Sequence, residues 1–514
     1  MSSSPLRRQP ARRVLAVLAS VALAAALAAC SATDDDQTAA TAGDTGVLKW
    51  AASYSPSSWD PVVAGSGAGF RINALAYASL TEVDENGEAA PGLAESWDYN
   101  DDGTQVTFHL REGLTFSDGT ALDSAAVKAY YERAQTQEDS ALLAEGIAPI
   151  ASIDTPNDLD VVFNLSEPDY QIPLVVAERV GQITNPNKTP EELNASPDGA
   201  GPFTVVSIVA GASAVFEKNP NYWDADNIHI ARVEVTFGVD SSSIVSGLQT
   251  GVYNFSDLDP SQVDAAEAAG LDVVEQPGFN ASNLSVNRTI APFDDPLVFE
   301  AVQYAIDRDQ LLEQASFGHG TTTTEPFPEG YIAYSDDAAN QYSYDPDKAK
   351  ELLAEAGYPD GFDVDFVVSA DTTQNELLQA QLAAVGINAT LSVDTNWSAS
   401  FFAKKLTLTT YGTTGRDSPI QTLTAHFSAE GALNSSGVDA GDAFQAALST
   451  ALATPLDSDD YATNIQAATA AGLANTGLIF LVSQPNLFVK TSAVSDIPAI
   501  PAYVTWTGVT IADS

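Results

Sequence analysis

The sequence is poor in the side chains that build metal centres and covalent cross-links. Its 514 residues include one cysteine, one methionine and four histidines. A disulfide within the chain is therefore excluded. The histidines lie far apart, at positions 109, 229, 319 and 426, and none falls into the spacing of zinc ligands. We expect neither a metal nor a cofactor, and we interpret His109 and His229, in strand-like runs, as structural.

Positive charge is also scarce, since 21 Lys and Arg stand against 69 Asp and Glu, for a formal net charge of −48. A surface of this sign repels nucleic acid phosphates, which excludes DNA or RNA binding. The short patterns of hydrolases are missing too, because the chain has no G-x-S-x-G elbow and no H-E-x-x-H helix. A secreted hydrolase stays an alternative, since a spatial triad does not show in sequence.

The first residues have the pattern of an export signal. Four arginines within residues 7–13 precede an apolar run from Val14 to Leu27, which is too short to span a membrane comfortably. The run ends in Leu-Ala-Ala-Cys at Cys30, similar to a bacterial lipobox. We predict a lipoprotein signal peptide over 1–29, lipidation of Cys30 and a flexible tether over 30–46. A plain signal peptide is the alternative, and Sec or twin-arginine export is left open.

Local patterns predict a mixed α/β chain. Val106, Phe108 and Leu110 alternate with polar residues, as in a half-buried strand. Asp123 is placed to cap a helix over 121–145. The strongest helix signal is Asp345-Pro346 at the start and Gly357 at the end.

Several further elements follow from the same signals. We predict helices over Asn73–Leu80, Asp295–Phe317 and Glu376–Ala384. Strands are predicted at Val47–Ala52, Asp160–Leu165, Val233–Phe237, Phe362–Val368, Ile387–Val393 and Leu478–Val482, with a polar loop over Tyr411–Ser436. The alternation of strand and helix after residue 361 predicts parallel sheet with helical crossovers.

Three linked blocks, in fixed order, resemble a family signature. They are Pro91 to Trp97 (PGLAESW), Thr107 to Gly113 (TFHLREG) and Phe116 to Thr120 (FSDGT). Further similar segments are Gly199 to Phe203 (GAGPF), Asn219 to Asp224 (NPNYWD) and Ala301 to Arg308 (AVQYAIDR). On these residues the chain resembles the family 5 extracellular solute-binding proteins, the peptide/nickel-type binding subunits of ABC importers.

The resemblance implies an α/β fold of the type II periplasmic-binding-protein kind, with two lobes joined by a hinge and an extra α+β subdomain. The expected division is lobe I at 47–80, 196–277 and 484–514, the extra subdomain of lobe I at 81–195, and lobe II at 278–483.

The resemblance also implies a function. The protein would capture a peptide or other small organic solute between the lobes and deliver it to ABC permease subunits, without enzymatic chemistry. We expect a monomer, lipid-anchored through Cys30 to the outer face of the cell membrane. A binding or sensing protein without transport is an alternative on the same fold.

Aromatic side chains on loops near strand ends are the candidate ligand walls. They are Tyr54, Trp59, Trp397 and Tyr411, and for each of them plain packing is the other interpretation.

One segment departs from the family pattern. Aligned on Pro419, Gly415 stands where peptide-binding relatives carry an acid that anchors the peptide α-amine. Asp417 is a candidate substitute. Arg416, a rare cation in an acidic chain, could bind an anionic group of the solute or pair with Asp417 on the surface. A nickel chelate is disfavoured because metal ligands are few.

Overall fold

The structure is a computed structural model that describes residues 46–64, 67–136, 146–177, 180–339, 341–413, 418–500 and 504–512. The strands are β1 (Gly46–Ala52), β2 (Thr81–Val83), β3 (Ala89–Pro91), β4 (Ala94–Tyr99), β5 (Gln105–Leu110), β6 (Ile150–Asp154), β7 (Asp160–Leu165), β8 (Phe203–Val209), β9 (Ser213–Lys218), β10 (Ile230–Phe237), β11 (Phe255–Asp257), β12 (Asp272–Val286), β13 (Thr321–Thr322), β14 (Phe362–Val368), β15 (Ile387–Val393), β16 (Leu408–Thr413) and β17 (Leu478–Lys490).

The helices are α1 (Gly67–Asn73), α2 (Ser124–Gln135), α3 (Ile172–Val175), α4 (Pro190–Ala195), α5 (Ser241–Gln249), α6 (Val263–Ala268), α7 (Pro296–Ala305), α8 (Arg308–Ala315), α9 (Pro346–Glu355), α10 (Thr373–Ala384), α11 (Trp397–Phe402), α12 (Pro419–Phe427), α13 (Asp442–Leu452) and α14 (Tyr461–Ala474).

Most strands join one large sheet, in the order β15-β14-β16-β12-β17-β11-β1-β10-β9-β8, with β13 paired to β17 beside this path. β1 is parallel to β10 and β11, and β14 is parallel to β15 and β16. β12 and β17 lie in the middle and pair antiparallel. β17 is buried along nearly its whole length, as expected of a central strand covered on both faces.

A separate four-stranded antiparallel sheet, β4-β5-β7-β6, forms what we call the small sheet. The predicted alternation in β5 is confirmed, since Val106, Phe108 and Leu110 are buried. Helix α2 is capped by Asp123, whose carboxylate accepts the Ala126 N–H, as predicted. The predicted continuation of this helix beyond residue 136 falls outside the described residues.

The hydrophobic core is divided along the large sheet. One cluster surrounds β1 and the small sheet and includes Trp50, Phe108 and Phe163. Two other clusters cover β14 and β16, one containing Phe366 and the other Phe427. The two ends of the sheet are therefore packed by different sets of side chains.

Several local predictions are confirmed. The strands at 160–165, 362–368 and 387–393 have the predicted bounds. Helix α9 begins with Asp345 accepting the Lys348 N–H and ends before Gly357, whose φ is +93°. Such elements depend on neighbours in the sequence, namely a cap, a first-turn proline and a left-handed glycine.

Two helix predictions are wrong. The predicted helix Asp295–Phe317 is broken, because Ile306 is extended and the carboxylate of Asp307 caps α8 by accepting the Gln310 N–H. The predicted helix Asn73–Leu80 is absent, since α1 already ends at Asn73.

The loop predicted for Tyr411–Ser436 is also wrong, because it contains α12. Pro419 occupies the first turn, and Ile420, Leu423 and Phe427 are buried at helical spacing. The apolar residues of α12 recur at helical spacing in the sequence, but the polar residues around them favoured the prediction of a loop.

The backbone after α1 forms hydrogen bonds with the Gly-Ala-Gly-Pro-Phe segment instead of continuing the helix. Gly201 N–H donates to the carbonyl of Ala76 and Phe203 N–H to that of Leu75. A Cβ atom at Gly201 would lie 2.4 Å from the carbonyl carbon of Ala76 and 2.5 Å from the nitrogen of Tyr77. Glycine is required here for close approach of two backbones.

We expect Gly201→Ala to lower the free energy of unfolding by about 1–3 kcal/mol, the usual effect of overpacking. Gly412→Ala in β16 is the matched control, because among the described residues, apart from the two chain neighbours, no atom lies within 4 Å of the added Cβ. Its change should stay within about 0.5 kcal/mol. Urea unfolding of both variants checks this, and equal losses would contradict it.

No helix among the described residues is long and apolar enough to cross a membrane.

Candidate functional site

The two central strands change register part-way along their length. β12 pairs with β17 at Asp272–Gln276 and again at Asn280–Ser285, and the register shifts between these two runs. We call this region, Gln276–Asn280 with Gln484–Asn486, the crossover. The differently packed ends of the large sheet are joined there by β12 and β17.

Parallel strands from both ends of the sheet run toward the crossover. β11 ends at Asp257, opposite Phe488, just beyond Asn486 on β17. From the other end, β16 ends at Thr413, opposite Ala281 at the start of the second run of β12. Ligands of open α/β sheets bind beyond the carboxyl ends of parallel strands. The crossover is therefore the floor of the candidate binding site.

A polar cluster occupies this floor. Arg71 of α1 donates from Nη2 to Oδ1 of Asn486 at 2.6 Å, and Asn280 Nδ2 donates to the same oxygen at 3.1 Å. Nη1 of Arg71 lies 3.5 Å from Oδ1 of Asp257, and Trp50 Nε1 donates to Oδ2 of that carboxylate at 3.3 Å. The cluster connects α1, β1 and β11 to both crossing strands.

The charge state of the cluster is set by burial and by Arg71. Burial raises the pKa of Asp257, while the charge of Arg71 and the hydrogen bond from Trp50 act in the opposite direction. A guanidinium offers five N–H donors in a planar fork, so Arg71 has donors beyond those used by Asn486 and Asp257.

Tyr54 is the predicted site residue that lies beside this cluster. Its hydroxyl is buried, and the Arg71 guanidinium lies beside it as a hydrogen-bond donor. Burial and the charge of Asp257 raise the pKa of this hydroxyl well above its usual range, although Arg71 opposes them. Tyr54 is therefore neutral, and its buried hydroxyl lies beside the charged groups of Arg71 and Asp257.

Trp59, another predicted site residue, is packed into the core. It is 6% exposed, and its ring centroid lies 5.9 Å from that of Phe216 and 6.3 Å from that of Phe237. Its carbonyl accepts the Tyr77 hydroxyl at 2.8 Å. The contacts described for Trp59 are packing contacts, and its binding role stays a prediction.

Trp397 and Tyr411 lie together at the other end of the large sheet, on either side of Phe401. Their rings are 4.6 and 4.9 Å from the Phe401 ring. Trp397 Nε1 donates to Thr409 Oγ1 at 2.7 Å, and the Tyr411 hydroxyl donates to the Leu433 carbonyl at 2.9 Å. The structure thus groups these two predicted residues, but separately from Tyr54.

The other predicted site residues, Arg416, Asp417 and Cys30, lie outside the described residues, as do the predicted signal peptide and nearly all of the tether. Their roles stay predictions.

Histidines do not form a metal site in the described part of the chain, where no group of three or more His, Cys, Asp or Glu could hold an ion. His109 contacts Asp160 through Nδ1 at 2.7 Å and Asp98 through Nε2 at 3.1 Å. The hydrogen bond to Asp160 raises the pKa of His109, with burial acting against it. This links β4, β5 and β7, in agreement with the structural interpretation.

Sequence reasoning missed Arg71, Asn280 and Asn486. The two asparagines are 206 residues apart and meet only because β12 pairs with β17. Arg71 carried one usable signal, a cation in a chain with few cations. Its place beside the crossover depends on tertiary structure.

Comparison with known proteins gives the family. The profile of the bacterial extracellular solute-binding proteins, family 5 Middle, matches residues 88–435. The chain belongs to this family. The family 5 chain is 28% identical over 418 residues to heme-binding protein A of Haemophilus influenzae, covering 72% of this chain and 75% of the relative. It is 31% identical over 325 residues to the glutathione-binding protein GsiB of Salmonella paratyphi A, covering 62% and 63%.

Solved structures confirm the predicted fold class. DppA from Helicobacter pylori in complex with the peptide STSA superposes with a TM-score of 0.80 at 25% identity, covering 91% of this chain and 98% of that one. AgaA from A. tumefaciens R10 in complex with agropinic acid gives 0.79 at 26% identity, covering 91% and 99%. The family 5 chain therefore has the type II periplasmic-binding-protein fold, and its relatives are binding proteins of ABC transporters rather than enzymes.

Proposed function

We propose that the protein is the substrate-binding component of an ABC importer that captures a peptide or other small organic solute and delivers it to the permease. The observation that carries this proposal is the crossover. Two strands join differently packed halves of one sheet, and the carboxyl ends of parallel strands from both halves approach the same point. Such a connection permits hinge closure around a solute.

We assign the lobes from the position of the crossover. Lobe I consists of 47–80, 196–277 and 484–514, with 81–195 as its extra subdomain, and lobe II of 278–483. The register shift of β12 between Gln276 and Asn280 supports the boundary at 277/278. The separation of the small sheet from the large one supports the subdomain.

We propose that the solute lies over the crossover and contacts Tyr54 from lobe I and Trp397 and Tyr411 from lobe II. Arg71 is added to the predicted set because its side chain lies on the floor and is partly exposed, with 17% of it accessible. Arg416, Asp417 and Trp59 stay predictions, and the contacts described for Trp59 are packing contacts. An anionic group on the solute would suit the arginines.

The membrane anchor is a separate proposal. The lipobox-like Leu-Ala-Ala-Cys supports diacylation of Cys30 and attachment to the outer face of the cell membrane. A Cys30→Ser variant should lose its partition with membranes, and unchanged partition would contradict the anchor.

Native mass spectrometry of the purified protein tests the main proposal, because a tightly bound solute is expected to remain on the protein. The compound identified in this way should then raise the unfolding temperature of stripped protein without being consumed, since a ligand of the native state stabilises it by mass action. Turnover of the compound would instead favour an enzyme.

A further inference from the structure

A second connection, apart from the crossover, joins the segment before α3, in the extra subdomain, to helices of lobe II. Gln171 Oε1 accepts hydrogen bonds from Ser418 Oγ and from the Tyr461 hydroxyl, each at 3.1 Å. Beside it, Tyr170 N–H donates to the Leu452 carbonyl at 3.0 Å. Gln171, Ser418 and Tyr461 are at most 3% exposed. We call these five residues, with Gln421, the clasp.

The small-sheet side of the clasp is rigidly held. The Tyr170 ring lies 4.6 Å from that of Tyr99, whose hydroxyl donates to the Asp169 carbonyl at 2.8 Å. The carboxylate of Asp169 accepts the Gln171 N–H, also at 2.8 Å. A Cβ at Gly103 would lie 2.6 Å from the Tyr170 ring, so glycine leaves room for it. Tyr170 and Gln171 are thus presented as a fixed platform.

Two amide donors are buried in this contact without acceptors in the part of the chain that the structure describes. Nε2 of Gln171 and Nε2 of Gln421 have no hydrogen-bond partner among the described residues. A Cβ at Gly146 would lie only 2.7 Å from Gln421 Nε2, so this amide is pressed against the backbone of residues 81–195. A donor that loses its hydrogen bond to water on burial and gains no protein acceptor disfavours the buried state.

The clasp therefore contains opposing contributions. Three hydrogen bonds to Gln171 and Leu452 favour contact, as does packing of Leu456 against Val83, Leu174 and Ala177. The two unpaired amides oppose it, and water would hydrate both if the surfaces separated. These opposing contributions leave only a small free-energy difference between the closed and open forms of the contact.

We propose that the clasp is the closure contact of the binding cleft, and that its unpaired amides keep the solute-free protein from closing fully. Gln171 and Gln421 are then positioning residues, which set solute affinity through the closed fraction without touching the solute. This rests on the proposed function, because closure has a role only if a solute is captured between the lobes. In this proposal the extra subdomain has a role in binding, because it holds lobe II in the closed position.

Amide hydrogen exchange tests this on the full-length protein without any ligand. Tyr170 N–H is protected only while the clasp is closed, whereas Gln171 N–H is bonded within the platform and serves as the internal control. Gln421→Met removes an unpaired donor at similar length and should raise Tyr170 protection about five-fold or more. Tyr461→Phe removes one hydrogen bond to Gln171 and should lower it about three- to ten-fold.

The opposite directions of the two variants separate closure from general stability. Equal Tyr170 protection in all three proteins would overturn the proposal, and so would parallel changes at Tyr170 and Gln171, which would show fraying of the platform. If Gln421→Met does not fold, Gln421→Leu replaces it with the same expected sign. Failure of solute capture itself would appear separately, as no retained compound and no thermal shift.

Discussion

Replacement of Arg133 by methionine is expected to lower the free energy of unfolding by about 3–5 kcal/mol. Arg133 of α2 forms two hydrogen bonds with the Asp60 carboxylate, from Nη1 to Oδ2 at 2.6 Å and from Nη2 to Oδ1 at 2.8 Å. The Asp60 side chain is fully buried. Without the guanidinium a buried carboxylate loses its countercharge, although the Val62 N–H still donates to it.

The consequence extends to the binding site, because Asp60 lies on the loop that carries Tyr54. Asp60 also fixes this loop through its backbone, which accepts the N–H groups of Val63 and Ala64. We therefore expect Arg133→Met to weaken solute binding as well as stability, since the loop after β1 loses its anchor to α2.

Two further variants make the Arg133 prediction specific. Lys128→Met on the same helix breaks a partly exposed pair with Glu132 at 3.6 Å and should change stability by less than about 0.5 kcal/mol. Arg133→Met combined with Asp60→Asn should recover much of the loss, because the buried charge is then absent. Urea unfolding measures all of them. Similar losses for Lys128→Met and Arg133→Met would show that the buried pair has no special weight.

The fold was predictable where an element is determined by residues close to it in the sequence. α9 and the two strands around α10 follow from a cap, a proline, a glycine and a two-residue period. Prediction failed where a segment is held by hydrogen bonds to backbone that is distant in the sequence. The carbonyls of residues 75 and 76 accept the N–H groups of Phe203 and Gly201, so these two residues do not continue the helix. The break at Ile306 has a local signal, since Asp307 is a capping residue, but the apolar period of the flanking residues hid it.

The candidate site was less accessible to sequence reasoning than the fold. Tyr54 and Trp59 were both selected because they follow a predicted strand. In the structure Tyr54 lies beside Arg71 and Asp257, whereas Trp59 packs against Phe216 and Phe237. Adjacency to a strand end does not tell which way a ring points. The Arg71 cluster and the clasp could not be predicted, because each joins residues that are hundreds of positions apart, such as Gln171 and Tyr461.

The second large effect concerns pH, and it comes from a carboxyl group under the clasp platform. Asp169 is 2% exposed, and burial raises its pKa from 3.8 to about 7, with the charge of Glu167 adding to this and the Gln171 N–H opposing it. A raised folded-state pKa means that stability is intact below about pH 4 and falls as pH rises toward 7. The full loss corresponds to roughly 4 kcal/mol, at 1.36 kcal/mol per pKa unit.

Asp169→Asn keeps an oxygen for the Gln171 N–H but cannot ionise, so it should remove this pH dependence. We expect the variant to exceed wild type by about 1–2 kcal/mol at pH 5 and by about 3–4 kcal/mol at pH 8. Urea unfolding over this range avoids the isoelectric region near pH 4.1. Glu351→Gln, at a surface carboxylate whose side chain is 76% exposed, is the control and should follow the wild-type profile. A constant difference between Asp169→Asn and wild type from pH 5 to 8 would mean that Asp169 does not titrate in this range. The pH dependence of stability would then have to arise from other carboxyl groups.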